Sequence, residues 1–303
     1  MISLFLSLTL WRQPVVELFD VTKSEFVIFN IKDREGRKMD CLKVFPSSNG
    51  KKFYGVYHSV KDEVFQLWLA ESTDAKEWKP IRKVDDHGHQ GTITISPEGK
   101  VLMAWEKDIP GKGNHIHVAY YSSEEALEHG ASTQEKNIDR TFSPSAEGTP
   151  NFEKVYWTKS LPQIVLGFHY WRNSDVDRQA VGNLDEKWNW SCSKRPQYDK
   201  FIEGFGVRGN IGDRDSFEFG DQYTILEGMK TKDDWSSWRL YLVNQTRKTC
   251  VPIQVKTPLN SMSFANPNVT IVKDKAYITL FMPSQGNAPT ESGELLYAVE
   301  LKK

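Results

Sequence analysis

An excess of charge of either sign is missing from this sequence. Its 39 Lys and Arg are balanced by 40 Asp and Glu, a formal net charge of -1. Without a basic excess there is little to hold a phosphate backbone, which argues against a nucleic-acid partner. Cysteine is scarce as well. Cys41, Cys192 and Cys250 are too few and too scattered for a disulfide framework, and none stands in a CxxC pair, so they read as buried thiols. No apolar stretch reaches the length of a membrane span, which argues against a membrane partner. The opening run, Met1 to Leu10, is apolar like the centre of a signal peptide. It lacks a basic segment before it and a small-x-small cleavage site after it. The compartment therefore leans to the cytoplasm, and the apolar run leaves secretion open. Helical patterning is nearly absent, apart from a short stretch near Glu124 to Glu128.

What the chain has is aromatic mass and a repeat. Aromatic residues make up 12% of it, with ten Trp, side chains that serve as core or as platforms for sugar rings. Five segments share a pattern of apolar strand, turn rich in Gly, Asp or Lys, and second apolar strand. They are Leu42 to Phe45 with Phe53 to His58, Thr92 to Ile95 with Val101 to Glu106, Phe152 to Val155 with Ile164 to His169, Phe217 to Phe219 with Tyr223 to Glu227, and Val269 to Val272 with Tyr277 to Met282. A third strand follows each: Phe65 to Ala70, His115 to Tyr121, Arg178 to Gly182, Trp238 to Val243, and Glu294 to Val299. Regular meanders of this kind predict an all-β fold, a five-bladed β-propeller formed by residues 1–303, with blades at about 38–84, 85–140, 141–203, 204–258 and 259–303. An open ring would leave exposed strand edges. Residues 14–31 hold two β-rich runs, Val15 to Phe19 and Phe26 to Ile31, and one of them is expected to supply the outer strand of the last blade. A sandwich of two sheets is the rival architecture and would not need that strand.

The repeat also sets a register. Four residues before the apolar anchors Val44, Ile93, Phe152, Phe217 and Val269 stand Asp40, His89, Gly148, Asp213 and Ala265. Glu147 and Asn266 are one step away. The second strands end at His58, Glu106, His169, Glu227 and Met282. Antiparallel pairing returns these ends to the same mouth of the axis, where carboxylates and histidines would shift one another's pKa values as a general acid and base require. Local context adds Arg208, Arg214 and Asp215 around Asp213, and Trp171 in His169-Tyr-Trp-Arg172, a group able to stack on a sugar. His87 and His89, spaced by two on a strand, would face one side. With no regular third ligand they define no metal site. No cofactor is called for, although a structural calcium at the axis would suit hard oxygen ligands.

With Asp40 in Met39-Asp-Cys-Leu and Glu147 in Ala-Glu-Gly-Thr-Pro150, the chain resembles the five-bladed propeller glycoside hydrolases, the family 43-like group of arabinanases, xylosidases, invertases and levansucrases. The resemblance covers nearly the whole chain as architecture and few motifs. It implies a carbohydrate substrate, with Asp40 as base or nucleophile, Glu147 or Glu227 as acid, and Asp213 as the residue that tunes or orients. His58, His89, Glu106, His169, Trp171, Arg208, Arg214, Asp215 and Asn266 would contact the sugar. Cys41 stands where the group usually has Pro, and the acid and orienting roles could be exchanged. A sugar-binding propeller without catalysis, and a polysaccharide lyase working through His and Tyr, are the rival functions. A lyase needs Arg and His to outnumber carboxylates at the mouth.

Overall fold

Short hairpin turns cut the chain into strands from residue 26 onward. The structure, a computed structural model, describes residues 13–302. The apolar opening run, residues 1–10, lies outside the described residues. After a 3-10 turn at Val15–Phe19, the first strand is β1 (Phe26–Phe29). Blade 1 then follows as β2 (Asp40–Pro46), β3 (Phe53–Lys61), β4 (Val64–Ser72) and β5 (Lys79–Asp86). Blade 2 is β6 (Gly88–Ile95), β7 (Val101–Ile109), β8 (Gly113–Tyr121) and β9 (Gln134–Ile138), with helix α1 (Glu124–His129) before its last strand. Blade 3 is β10 (Glu147–Tyr156), β11 (Gln163–Arg172), β12 (Val176–Leu184) and β13 (Trp190–Lys194). Helix α2 (Pro196–Glu203) leads to blade 4, which is β14 (Arg214–Phe219), β15 (Asp221–Met229), β16 (Trp238–Asn244) and β17 (Thr249–Ile253). Blade 5 contains β18 (Ala265–Val272), β19 (Lys275–Met282) and β20 (Gly293–Glu300).

Five four-stranded sheets result, and the fifth takes its outer strand from the N-terminal side, in the order β1-β20-β19-β18. Phe26 pairs with Ala298 and Phe29 with Leu295. Of the two runs expected to close the ring, Phe26 to Ile31 does so and Val15 to Phe19 coils. The fold is the expected five-bladed propeller. The outer strands of blades 1 to 4 were not foreseen as strands. Connections bearing Trp78 and Trp188 lead into two of them, and Trp78 fills the space over Gly55, where an added Cβ would stand 2.7 Å from its ring.

Adjacent blades bury apolar faces against each other. Phe26 and Ile28 pack with Leu42, Tyr57, Trp78 and Leu296 where blade 5 meets blade 1. Each large apolar side chain buried there contributes about 1.5–3 kcal/mol. Deleting residues 1–30 would uncover the β20 edge and this cluster together. Size-exclusion chromatography is expected to show association or aggregation of the truncated chain. A monodisperse truncated chain with unchanged melting would contradict the closure.

Around the axis the inner strands share one irregularity. In blades 1, 2, 3 and 5 the ladder slips after Asp40, His89, Gly148 and Ala265. The next residues, Cys41, Gln90, Thr149 and Asn266, have φ of 53°, 50°, 49° and 45°. Four non-glycine residues in the left-handed region at equivalent places are bulges built into the fold, which re-aim side chains at the mouth. Below the bulges the axis is filled by buried polar groups: Lys43, Thr92, Asn151, Asp215 and Asn268. Asp215 accepts from Asn151 Nδ2 and Asn268 Nδ2, both at 2.9 Å, and from the Val269 N–H at 2.8 Å. Asn268 Oδ1 accepts from the Val44 N–H at 2.9 Å. This belt ties blades 3, 4, 5 and 1 together.

Candidate active site

Above the polar belt, a cavity of about 490 Å³ opens at the axial mouth. Its wall comes from blades 2 to 5 and carries His89, Glu106, His169, Asp177 and Glu227 as ionisable groups, with Trp171, Trp235 and Trp238 as aromatic ones. Among the described residues, no Lys or Arg lines it. Gln90 and Asn266, two of the bulge residues, meet across the mouth, with Asn266 Nδ2 donating to Gln90 Oε1 at 3.0 Å.

Glu227, at the end of the β15 apolar run, is buried against the segment before β14. Its Oε1 accepts from the Asp213 N–H at 2.8 Å and its Oε2 from the Asn266 N–H. Gly212 makes room for it, since a Cβ there would stand 2.4 Å from Oε1. Burial, with the neighbouring Asp213 charge adding to it, pushes the Glu227 carboxyl up to about 7. Asp213 in turn is wholly buried and paired with an equally buried Lys43, Nζ to Oδ1 2.9 Å. It also accepts from the Arg214 N–H at 2.7 Å. Lys43 lies in the middle of an inner strand, in Leu42-Lys43-Val44, where an unpaired charge would not be tolerated. That interruption is the signal by which it could have been found.

Asp177, at the start of β12, also escaped the sequence reading. Its carboxyl lies 3.7 Å from His169 Nε2. Burial raises its pKa, with the His169 charge opposing and Glu106 adding to the rise. Trp235, about half exposed, and Trp238 stand with ring centroids 6.2 Å apart beside Glu227. Their place at the mouth follows from the β15–β16 connection, which no local motif marks.

Of the residues named from sequence, the structure brings His89, Glu106, His169, Trp171, Glu227 and Asn266 together in the cavity wall. The remaining ones are placed otherwise. Glu147 is buried with its Oε1 turned back to accept the N–H groups of Thr141, Phe142 and Ser143, so it caps its own turn. Arg214, wholly buried, donates to Gln179 Oε1 and to the carbonyls of Thr149 and Gly212. Burial brings its guanidinium down to about 10. Arg208 donates to the Glu203 and Val207 carbonyls. Asp215 belongs to the axial belt below. None of these four side chains has a free polar face in the cavity lining.

Asp40 and His58 are cross-strand partners in blade 1, as the register requires, and neither lines this cavity. Burial raises the Asp40 carboxyl, with Lys38 opposing. Burial and the nearby His89 bring His58 down to about 3, which keeps its ring neutral. Glu294, wholly buried behind Asp40, accepts from the Cys41 N–H at 2.9 Å. Burial and then the Asp40 charge push it well above the carboxylate range. The axial carboxylate Asp213 already has a cation beside it in the Lys43 ammonium.

No family model matches the chain, and no curated protein does. Solved structures resemble it in fold. An α-L-arabinofuranosidase from Fusarium graminearum, solved with an iminosugar inhibitor, superposes with a TM-score of 0.55 at 11% identity, covering 92% of this chain and 98% of its own. An α-L-arabinanase from Penicillium chrysogenum with arabinobiose gives 0.56 at 10% identity, over 91% of this chain and 98% of that one. The β-xylosidase RS223 gives 0.53 at 10% identity, over 92% and 95%. At such low identity the likeness is one of fold.

Proposed function

We propose that the chain is a glycoside hydrolase acting in the axial cavity, with Glu227 as its general acid. The observation that carries this is a buried carboxyl in the cavity wall whose pKa is raised by burial and by the neighbouring Asp213 charge, so that it holds its proton in mildly acidic solution. Asp213 raises that pKa and holds Glu227 through its own N–H, which is a tuning role. Asp177 lines the same cavity and takes the part of base or nucleophile expected of Asp40. Glu227 gives its proton to the leaving glycosidic oxygen. Asp177 either takes a proton from the water that attacks the anomeric carbon or attacks that carbon itself. A carboxyl separation of about 5 Å selects retention, and roughly 6.5 to 9.5 Å selects inversion.

Trp171 and Trp235 supply apolar faces for sugar rings, and the missing Lys and Arg favour a neutral sugar over a uronate. The three carboxylates and two histidines of the lining therefore favour hydrolysis over the lyase reading. The structural neighbours named as arabinofuranosidase, arabinanase and xylosidase make arabinosides and xylosides the first substrates to try. Release of reducing sugar from such a panel tests the reading. A chain that binds these sugars and cleaves none is a binding module, and the proposal falls.

Because Glu227 works protonated, kcat/KM is expected to fall as pH rises through about 7. Stability follows with a defined sign. The folded-state pKa of about 7 lies above the ordinary 4.5, so the folded chain holds an extra proton between these values. Stability from this group is full below 4.5 and is lost as pH rises through the folded pKa. Rate profiles and urea melts over that range check both, and a rate that climbs steadily past pH 8 would contradict the acid assignment.

A further inference from the structure

The blade 2 wall of the cavity holds a group that the hydrolase chemistry above does not use. β6 and β7 set His89 opposite Glu106, and Asp108 follows two residues later on the same face of β7. Ligand-bearing atoms of the three all lie within 4.8 Å of one another. His89 Nε2 stands 3.3 Å from Asp108 Oδ1 and 3.7 Å from Glu106 Oε1. The longer of these is not a hydrogen bond. The shorter matches the edge of a tetrahedral site, where bonds of about 2.0–2.2 Å place ligand atoms roughly 3.3–3.6 Å apart, and the longer lies just beyond that edge.

The surroundings fix each donor. Glu106 Oε2 accepts from the Thr149 N–H at 2.8 Å and from Thr149 Oγ1 at 3.2 Å. The amide of buried Asn114 donates to Oε1, and Asn114 Oδ1 accepts from the Glu147 N–H at 3.0 Å. The Asp108 N–H donates to the His87 carbonyl at 2.8 Å, and the Phe65 ring lies 4.6 Å from that of His89. Outer partners of this kind orient metal ligands and tune their strength.

We propose that His89, Glu106 and Asp108 form a site for a borderline divalent cation of the zinc class, set in the cavity wall. An imidazole with two carboxylates suits that class, leaving a fourth position for water or a ligand oxygen. Calcium, which takes about six to eight oxygens, is poorly served. The strand-mate expected from sequence, His87, is not part of the group: it sits in the turn with φ 68°, and the third ligand comes from β7. The site stands independently of the hydrolase reading, because binding is measured without substrate.

The test uses the full chain after chelator treatment, titrated with Co²⁺ followed by visible absorption and with Zn²⁺ by calorimetry. One ion per chain is expected, with the bands of a low-coordinate Co²⁺ site. Asp108→Asn and His89→Gln are expected to remove the bands and weaken binding at least roughly 100-fold, and Asn114→Ala about 10- to 100-fold. Asp86→Asn, at an exposed carboxylate outside the group, leaves binding unchanged. Asp108 is only part-buried, so its substitution spares the core, and a melting curve verifies folding. Absence of a bound ion in the unsubstituted protein, or equal binding in Asp108→Asn and His89→Gln, overturns the proposal.

Discussion

Glu227→Gln is expected to lower kcat on substrates with a sugar leaving group by about 10²- to 10⁴-fold, the range lost with a general acid. The substitution keeps the shape and the oxygen that accepts the Asp213 N–H, and it removes a proton donor from the cavity wall. It also relieves the like-charge neighbour of Asp213, while its NH2 group faces the Asn266 N–H that Oε2 accepted, at a cost of about 1–3 kcal/mol in folding stability. Lost turnover in a variant that a melting curve shows to be folded separates a chemical role from a structural one. Glu147→Gln is expected to do the reverse, loosening the 141–143 turn while sparing the chemistry, because its Oε1 holds that turn and its side chain lies outside the cavity lining.

Lys43→Met carries the largest expected cost in stability. Lys43 and Asp213 are both wholly buried at 2.9 Å, and removal of one partner leaves an uncompensated charge, at a cost of about 3–5 kcal/mol. Adding Asp213→Asn should recover much of that loss, since replacing a buried pair by neutral groups is often close to neutral. Urea unfolding of the two single variants and the double one measures the coupling. The same Lys lowers the Glu227 pKa. Its loss is therefore expected to move the alkaline limb of the rate profile upward as well. Additive stability effects with an unmoved pH profile would show that the pair neither stabilises the axis nor tunes the acid.

The ring and its closure were legible because propeller strands announce themselves through alternation and turn chemistry. An unclosed edge needs a partner, which pointed to the N-terminal runs without choosing between Val15 to Phe19 and Phe26 to Ile31. The cross-strand partners at the mouth, Asp40 with His58 and His89 with Glu106, were legible from the register alone. What a period-two reading could not follow were the bulges. Each inserts a left-handed residue after the ring position, so the side chains beyond it point where simple alternation does not put them. Lys43 thereby reaches the axis from within an apolar strand, whereas Glu147, which precedes its bulge, is held by the N–H groups of the 141–143 turn. The outer strand Gln134–Ile138 hid for another reason: it is polar and solvent-facing, and only its last residue is buried. Asp177 opens β12 and Trp235 lies in the β15–β16 connection, and their approach to the axis depends on the blades being assembled.

The most direct test of Glu227 as the acid of a hydrolase compares two leaving groups. A dinitrophenyl glycoside departs without a proton, whereas a disaccharide with the same glycone needs one. Glu227→Gln is expected to turn over the first at close to the unsubstituted rate and the second at least about 10²-fold more slowly. Equal losses on both substrates, or no cleavage of either by the unsubstituted protein, would contradict the account.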